Sequence, residues 1–369
     1  MRLPVPEYGR RSLADVSSSV LATLGVPGHD DVLGLPRLPR ACLLLVDGLG
    51  WELLRAHAAD APYMSSLAAR ELTAGFPATT ATSLGSFGTG RPPGVHGMLG
   101  YQVAIPGEGR LLNCLRWADG VDPRVWQPSA TVFEQAAAAG VATTHVSAGA
   151  FVGSGLTRAV YRGAHYVPAD ALGPLVAAAE HAVRQGERSF VTVYHSELDA
   201  TGHVFGSRSP AWRHHLAFVD LLVRRLAEAM PPDAVLYVTA DHGMTDPGTR
   251  LDVDAEPELR SGVALLGGDP RARHVYAENG AAADVLAIWR GRLEDRAWVM
   301  PRGEAIEAGL FGPVADTMVE RIGDVVAVPH ADLAIVATEA EPLESSLVGM
   351  HGSLVPAELL VPLLTYLAE

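Results

Sequence analysis

Three apolar runs, each ending in a polar loop, constrain this chain more than any other feature. Ala41-Cys42-Leu43-Leu44-Leu45-Val46 leads into Asp47-Gly48, Phe190-Val191-Thr192-Val193-Tyr194 leads into the 195–203 loop, and Ala234 to Thr239 leads into Ala240-Asp241-His242-Gly243. A run without polar alternation reads as a strand covered on both faces, and such strands belong to parallel sheets. Helical segments at about 51–58, 131–139, 174–184 and 210–230 separate the runs, and Ser12 with Asp15 caps a further one at 12–24. Leu216, Val219, Leu222, Leu226 and Met230 give the long 210–230 segment one buried face. Strands alternating with helices predict an α/β sandwich around a central, mostly parallel sheet. From about 259 to 311 the pattern becomes strand, helix, strand with polar turns. This predicts a small inserted subdomain within a single domain spanning 1–369, and a closing helix is expected at 357–368.

A different stretch, 75–90, begins Gly75-Phe76-Pro77-Ala78-Thr79-Thr80 and ends at a Gly-rich turn. Here a strand at about 71–75 hands over to a helix of small residues, so several hydroxyls sit at a helix start. The free amides of a helix start favour a phosphate or another anion. A threonine is a poor nucleophile until its proton is removed, and a bound cation can do that.

Ligands for such cations are available. Asp199 and His203 lie one helical turn apart and can face one ion. Asp47, Asp241, His242 and His351 complete the candidates. Singly, each has an ordinary explanation as a turn, cap or surface residue. Together they do not, because Asp47, Thr80, Asp199 and Asp241 all fall just past the carboxyl ends of expected strands, where open parallel sheets bind ligands. Three Asp and three His make two sets of three, the usual ligand count for two catalytic metals with open positions.

Composition excludes several alternatives. The 28 basic residues are all arginine, so Walker-type phosphate loops, Schiff bases and pyridoxal chemistry are excluded. A net charge of −14 argues against a nucleic-acid surface. No run has the length of a membrane span, and the N-terminus lacks a signal-peptide pattern. Cys42 and Cys114 fit a reducing compartment, so a cytoplasmic location is expected.

The motifs Val46-Asp47-Gly48, Phe76-Pro77-Ala78-Thr79-Thr80, Glu197-Leu198-Asp199-Ala200-Thr201-Gly202-His203, Asp241-His242-Gly243-Met244 and Met350-His351-Gly352 extend from residue 46 to 352. In this order they resemble the alkaline phosphatase superfamily, specifically its nucleotide pyrophosphatase/phosphodiesterase branch. The resemblance implies an alkaline-phosphatase-like fold and two zinc ions, with manganese also compatible with the carboxylate ligands. By resemblance, Asp199, His203 and His351 hold one ion, and Asp47, Asp241, His242 and the Thr80 oxygen hold the other. Thr80 rather than Thr79 is the implied nucleophile, since it stands ten residues before Gly90. The implied activity is hydrolysis of a small-molecule phosphate ester, a phosphodiester or nucleotide-like pyrophosphate, through a threonyl-phosphate. A phosphomonoesterase, phosphonate hydrolase or phosphomutase shares the same motifs. One departure stands out: Ser83 occupies the position where the family carries a phosphate-holding Asn. Arg116 and Trp117, in the irregular 111–127 region, are further candidate substrate contacts.

Overall fold

A computed structural model describes residues 3–117 and 120–368. Its central sheet has the strand order Ala68–Thr73, Leu360–Leu367, Ala234–Thr239, Arg40–Val46, Ser189–His195, Ala142–Ser147 and His165–Pro168. Arg40–Val46 lies in the middle, parallel to both neighbours, with Leu45 opposite Tyr194 on one side and Thr239 on the other. Leu43, Leu44 and Val46 have no exposed surface, as expected of a strand covered on both faces. Truncating one of them to alanine is expected to cost about 2–5 kcal/mol.

Helices cover the sheet. Leu172–Val183 packs against Ser189–His195, and Pro210–Ala229 packs in turn on Leu172–Val183 and on Glu197–Phe205. Leu13–Thr23 packs on the helix Thr80–Thr89, and Ser17 donates its hydroxyl to the Phe87 carbonyl at 2.5 Å. No helix of the described residues is long and apolar enough to cross a membrane.

The end of the chain differs from expectation. The helix stops at Leu359, and Leu360–Leu367 is a strand, antiparallel to both of its neighbours. Pro362 is the physical reason, because a proline inside a helix removes a hydrogen bond and clashes with the preceding turn. Within the strand, the Pro362 carbonyl accepts from the Thr239 hydroxyl at 2.7 Å.

A second, antiparallel sheet has the order Val263–Asp269, Ala272–Ala277, Val325–Pro329, Ala297–Pro301. It therefore continues past 311. Helix Ala282–Leu293 packs on it, and Trp289, Val275, Val325 and Ala327 are among the residues of a core cluster of its own. Arg271, in the hairpin of this sheet, is buried and reaches Glu358 beside the central sheet at 2.6 Å.

Candidate active site

Two loops meet at the carboxyl end of the central strands because their glycines permit it. Gly50 and Gly243 touch backbone to backbone: a Cβ on Gly50 would lie 2.7 Å from the Gly243 Cα, and one on Gly243 would lie 2.1 Å from the Ala357 carbonyl. Such an approach requires residues without a side chain. It brings Asp47, one residue past Arg40–Val46, against Asp241 and His242, just past Ala234–Thr239. Asp199 enters from the first turn of Glu197–Phe205, and His351 from the loop before Pro356–Leu359.

The ligating atoms converge. Those of Asp47, Asp241 and His242 lie within 4.8 Å of one another, as do those of Asp199, His242 and His351. His242 therefore stands between the two sets. His203 Nε2 lies 3.1 Å from Asp199 Oδ2, and His351 Nε2 lies 3.9 Å from Asp199 Oδ1. Thr80 is the first residue of its helix, with Thr79 as N-cap, and its Oγ1 lies 3.2 Å from His242 Nε2.

Each histidine is oriented by the backbone. Nδ1 of His203 faces the Gly349 carbonyl at 2.7 Å, that of His242 the Gly243 carbonyl at 2.9 Å, and that of His351 the Ala78 carbonyl at 2.9 Å. With Nδ1–H donating to these carbonyls, Nε2 is the nitrogen turned toward the carboxylates and Thr80, the orientation that supports metal ligation. The carboxylates are braced as well. Tyr194 donates its hydroxyl to Asp47 Oδ2, and the Gly48 amide donates to Asp241 Oδ1 at 3.1 Å.

The remaining oxygens carry the fit to cations. Asp47 Oδ1, Asp199 Oδ1 and Asp241 Oδ2 are buried without a hydrogen-bond partner. A buried, unsatisfied carboxylate oxygen is costly, and three converging ones repel one another. Burial, then the charges of Asp241 and Asp199, push Asp47 well above the usual carboxylate range; burial also lifts Asp241. Asp199 goes the other way: burial would raise it, but the charge and hydrogen bond of His203 outweigh burial, and His203 rises to about 9 beside it although burial opposes the rise. Oxygen and imidazole donors of this kind, facing inward and short of positive charge, fit divalent cations.

A cavity of about 570 Å³ opens on these groups. Asp47, Thr79, Thr80, Asp199, His203 and His351 line it, together with the apolar Leu84, Leu115, Phe151 and Leu156 and the ring of Tyr161. The three candidate substrate residues Ser83, Arg116 and Trp117 do not line it. Ser83 is fully buried and donates its hydroxyl to the Asp241 carbonyl at 2.7 Å, so it braces a ligand loop instead of facing the cavity. Arg116 is exposed outside the lining. Trp117 has a positive φ of 56°, packs over Gly155, and donates its indole N–H to the Val121 carbonyl at 2.8 Å. Leu115 from the same segment reaches the cavity in their place.

Other residues line or brace the site: the sequence points to Tyr194 only as support for the Asp199 loop, and to His145 and Asp269 not at all. Tyr194 braces Asp47, and burial followed by the Asp47 charge pushes its phenol well above the ordinary value, so it remains a donor. His145 stacks on Tyr161 at 3.6 Å in the cavity wall, and burial lowers it to about 3, which keeps it neutral. Asp269 comes from the second sheet. The position of Tyr194 at the end of a strand beside the Asp47 strand was the available signal; Asp269 had none.

No curated protein matches the sequence significantly. Among solved structures, murine ectonucleotide pyrophosphatase/phosphodiesterase 5, in an inactive form with AMP, superposes with a TM-score of 0.71. It is 18% identical over 88% of this chain and 87% of that one. Phosphonoacetate hydrolase from Sinorhizobium meliloti 1021, in complex with phosphonoacetate, gives 0.68 at 20% identity over 89% and 90%. These likenesses show that the chain shares the fold of these two proteins. The family model for type I phosphodiesterase / nucleotide pyrophosphatase matches residues 41–354. That span contains every candidate metal ligand described above and most of both sheets, and the chain belongs to the type I phosphodiesterase / nucleotide pyrophosphatase family.

Proposed function

We propose that the protein hydrolyses phosphate esters in two displacements, with phosphodiesters and nucleotide-like pyrophosphates as its substrate class and Thr80 as the nucleophile. The observation that carries this reading is the Thr80 hydroxyl, 3.2 Å from His242 Nε2 in the lining of a cavity that Asp47 and Asp199 also line, each with a carboxylate oxygen left without a donor. Two divalent ions fit these residues, one held by Asp47, Asp241, His242 and Thr80, the other by Asp199, His203 and His351. Zinc is favoured by the imidazole ligands, and manganese also suits the carboxylates. Bound there, the ions supply the positive charge that acidifies the threonine hydroxyl and offsets the charge of the phosphate oxygens.

The chain's own groups set the geometry. Thr80 Oγ1, its proton released to solvent, attacks phosphorus, the bond to the leaving oxygen breaks, and the leaving group departs with its electron pair. Water then attacks the threonyl-phosphate, loses a proton and breaks the bond to Thr80, whose oxygen takes a proton back as the phosphoryl product is released. The start of the Thr80–Thr89 helix adds its dipole to the stabilisation of the phosphate. The apolar lining of Leu84, Leu115, Phe151, Leu156 and Tyr161 supports a substrate with a flat or apolar ester group. Monoesters and phosphonates remain readouts of the test. Purified, zinc-loaded protein is to be assayed against bis-4-nitrophenyl phosphate, 4-nitrophenyl phosphate and phosphonoacetate. Release of nitrophenolate from the diester is expected, and turnover of none of the three would contradict the reading.

A further inference from the structure

Asp269 ends the strand Val263–Asp269 and lines the active-site cavity, although it belongs to the second sheet. It is only 8% exposed, and its Oδ2 has no hydrogen-bond partner. An oxygen of this kind carries a free-energy penalty unless something in the cavity donates to it. Its position is firmly set. Asp269 pairs with Ala272 across a tight hairpin, and Arg271 within that hairpin is locked onto Glu358 at 2.6 Å.

The same residue lies beside one particular ligand set. A Cβ built on Gly352 would stand 3.4 Å from the Asp269 Cβ, so Asp269 packs against the loop carrying His351. Burial raises its carboxyl to about 7 and Glu341 adds to the rise, while Arg273, His203 and the Thr79 hydroxyl oppose it. In-line displacement places the attacking and leaving oxygens on opposite sides of phosphorus. In the ligand sets proposed above Thr80 belongs with Asp47, Asp241 and His242, so on that reading the leaving oxygen faces the Asp199, His203 and His351 side, which is also the side of the Gly352 loop that Asp269 packs against.

Resting on the phosphoester reading above, we infer that Asp269 sets specificity in the leaving-group subsite. It accepts a hydrogen bond from a hydroxyl or ammonium group on the departing alcohol and disfavours a leaving group that carries negative charge, which narrows the substrate class proposed above to phosphodiesters and away from pyrophosphates, whose leaving group is an anion. The selectivity is of two kinds. A buried acceptor left unpaired rejects a group without a donor, and a fixed carboxylate repels an anion in a cavity screened from water.

The test uses binding, so that it does not depend on turnover. The metal-loaded chain carrying Thr80→Ala is titrated calorimetrically at pH 8.5 with methyl 4-(hydroxymethyl)phenyl phosphate and methyl 4-carboxyphenyl phosphate. The hydroxymethyl ester is expected to bind at least about tenfold more tightly. Adding Asp269→Asn or Asp269→Ala should bring the ratio below about threefold, while binding of inorganic phosphate and metal content stay as they were. An unchanged ratio in both variants would overturn the assignment. Loss of one bound metal ion in Asp269→Asn would also overturn it, by making Asp269 a ligand. Binding of neither ester with Asp269 intact would instead remove the phosphoester reading, and this inference with it.

Discussion

Arg271 and Glu358 form a buried ion pair, Nη2 to Oε1 at 2.6 Å, that ties the second sheet to the loops of the active site. Glu358 Oε2 also accepts from the Ser353 amide at 2.8 Å, and the Glu358 carbonyl accepts from the Gly243 amide at 2.8 Å. One residue thus reaches the hairpin of Asp269, the loop after His351 and the loop after His242. Removing one partner of a buried pair strands the other charge, which costs about 3–5 kcal/mol. Arg271→Met should therefore lower the stability of the chain by that amount in urea unfolding. A loss below about 1 kcal/mol would show that the pair does not hold the sheets together.

Tyr194 donates to Asp47 Oδ2 and leaves Oδ1 facing the site. Loss of an outer hydrogen bond to a metal ligand typically weakens metal affinity by about 10–100-fold. Tyr194→Phe should show a loss of that size in a chelator competition for zinc, with unchanged circular dichroism. Equal affinity in the two proteins would mean that the phenol does not orient Asp47.

The metal-free chain should lose stability as pH rises from 6.5 to 9. His203 binds its proton more tightly folded, with its value raised to about 9 beside Asp199. A raised histidine stabilises fully below its unfolded value near 6.5, and that contribution disappears as pH passes through the folded value. Asp47, raised by burial and by Asp241 and Asp199, acts in the same direction. For His203 the effect is on the order of 3 kcal/mol across the window. Thermal unfolding in chelator at pH 6.5 and 9 measures it, and His203→Gln should flatten the difference. A metal-free protein equally stable at both pH values would contradict the pairing.

Much of this site could be read from residue order alone. Asp47, Asp199 and Asp241 follow runs whose uninterrupted apolar character marks buried strands, and topology then brings strand ends to one edge. The substrate side was less legible. Ser83 sits on a helix whose rotation turns it toward the Asp241 carbonyl, which no linear pattern reveals. Trp117 is held by the Val121 carbonyl and by Gly155, contacts made possible by its positive φ. Asp269 depends on the docking of one sheet against another, a long-range event without a local signature. Pro362, by contrast, was a local signal that the final segment is not helical.

Charge in the cavity bears on substrate class. Asp47 and Asp199 are neutralised in the proposed ion-binding sets, which leaves Asp269 as the lining carboxylate outside them, and a dianionic monoester meets more repulsion from it than a monoanionic diester. kcat/KM for bis-4-nitrophenyl phosphate should exceed that for 4-nitrophenyl phosphate by about tenfold or more. The reverse order would make the protein a monoesterase while leaving Thr80 and the ligand sets in place.

The role of Thr80 is tested most directly by trapping the intermediate. Acid quenching during turnover of bis-4-nitrophenyl phosphate, followed by peptide mass spectrometry, should find the aryl phosphoryl group on Thr80. Thr80→Ala should abolish the label and lower the rate by about two powers of ten or more, whereas Thr79→Ala should do neither. A label mapped to Thr79 or any other residue, or undiminished turnover by Thr80→Ala, would contradict the mechanism.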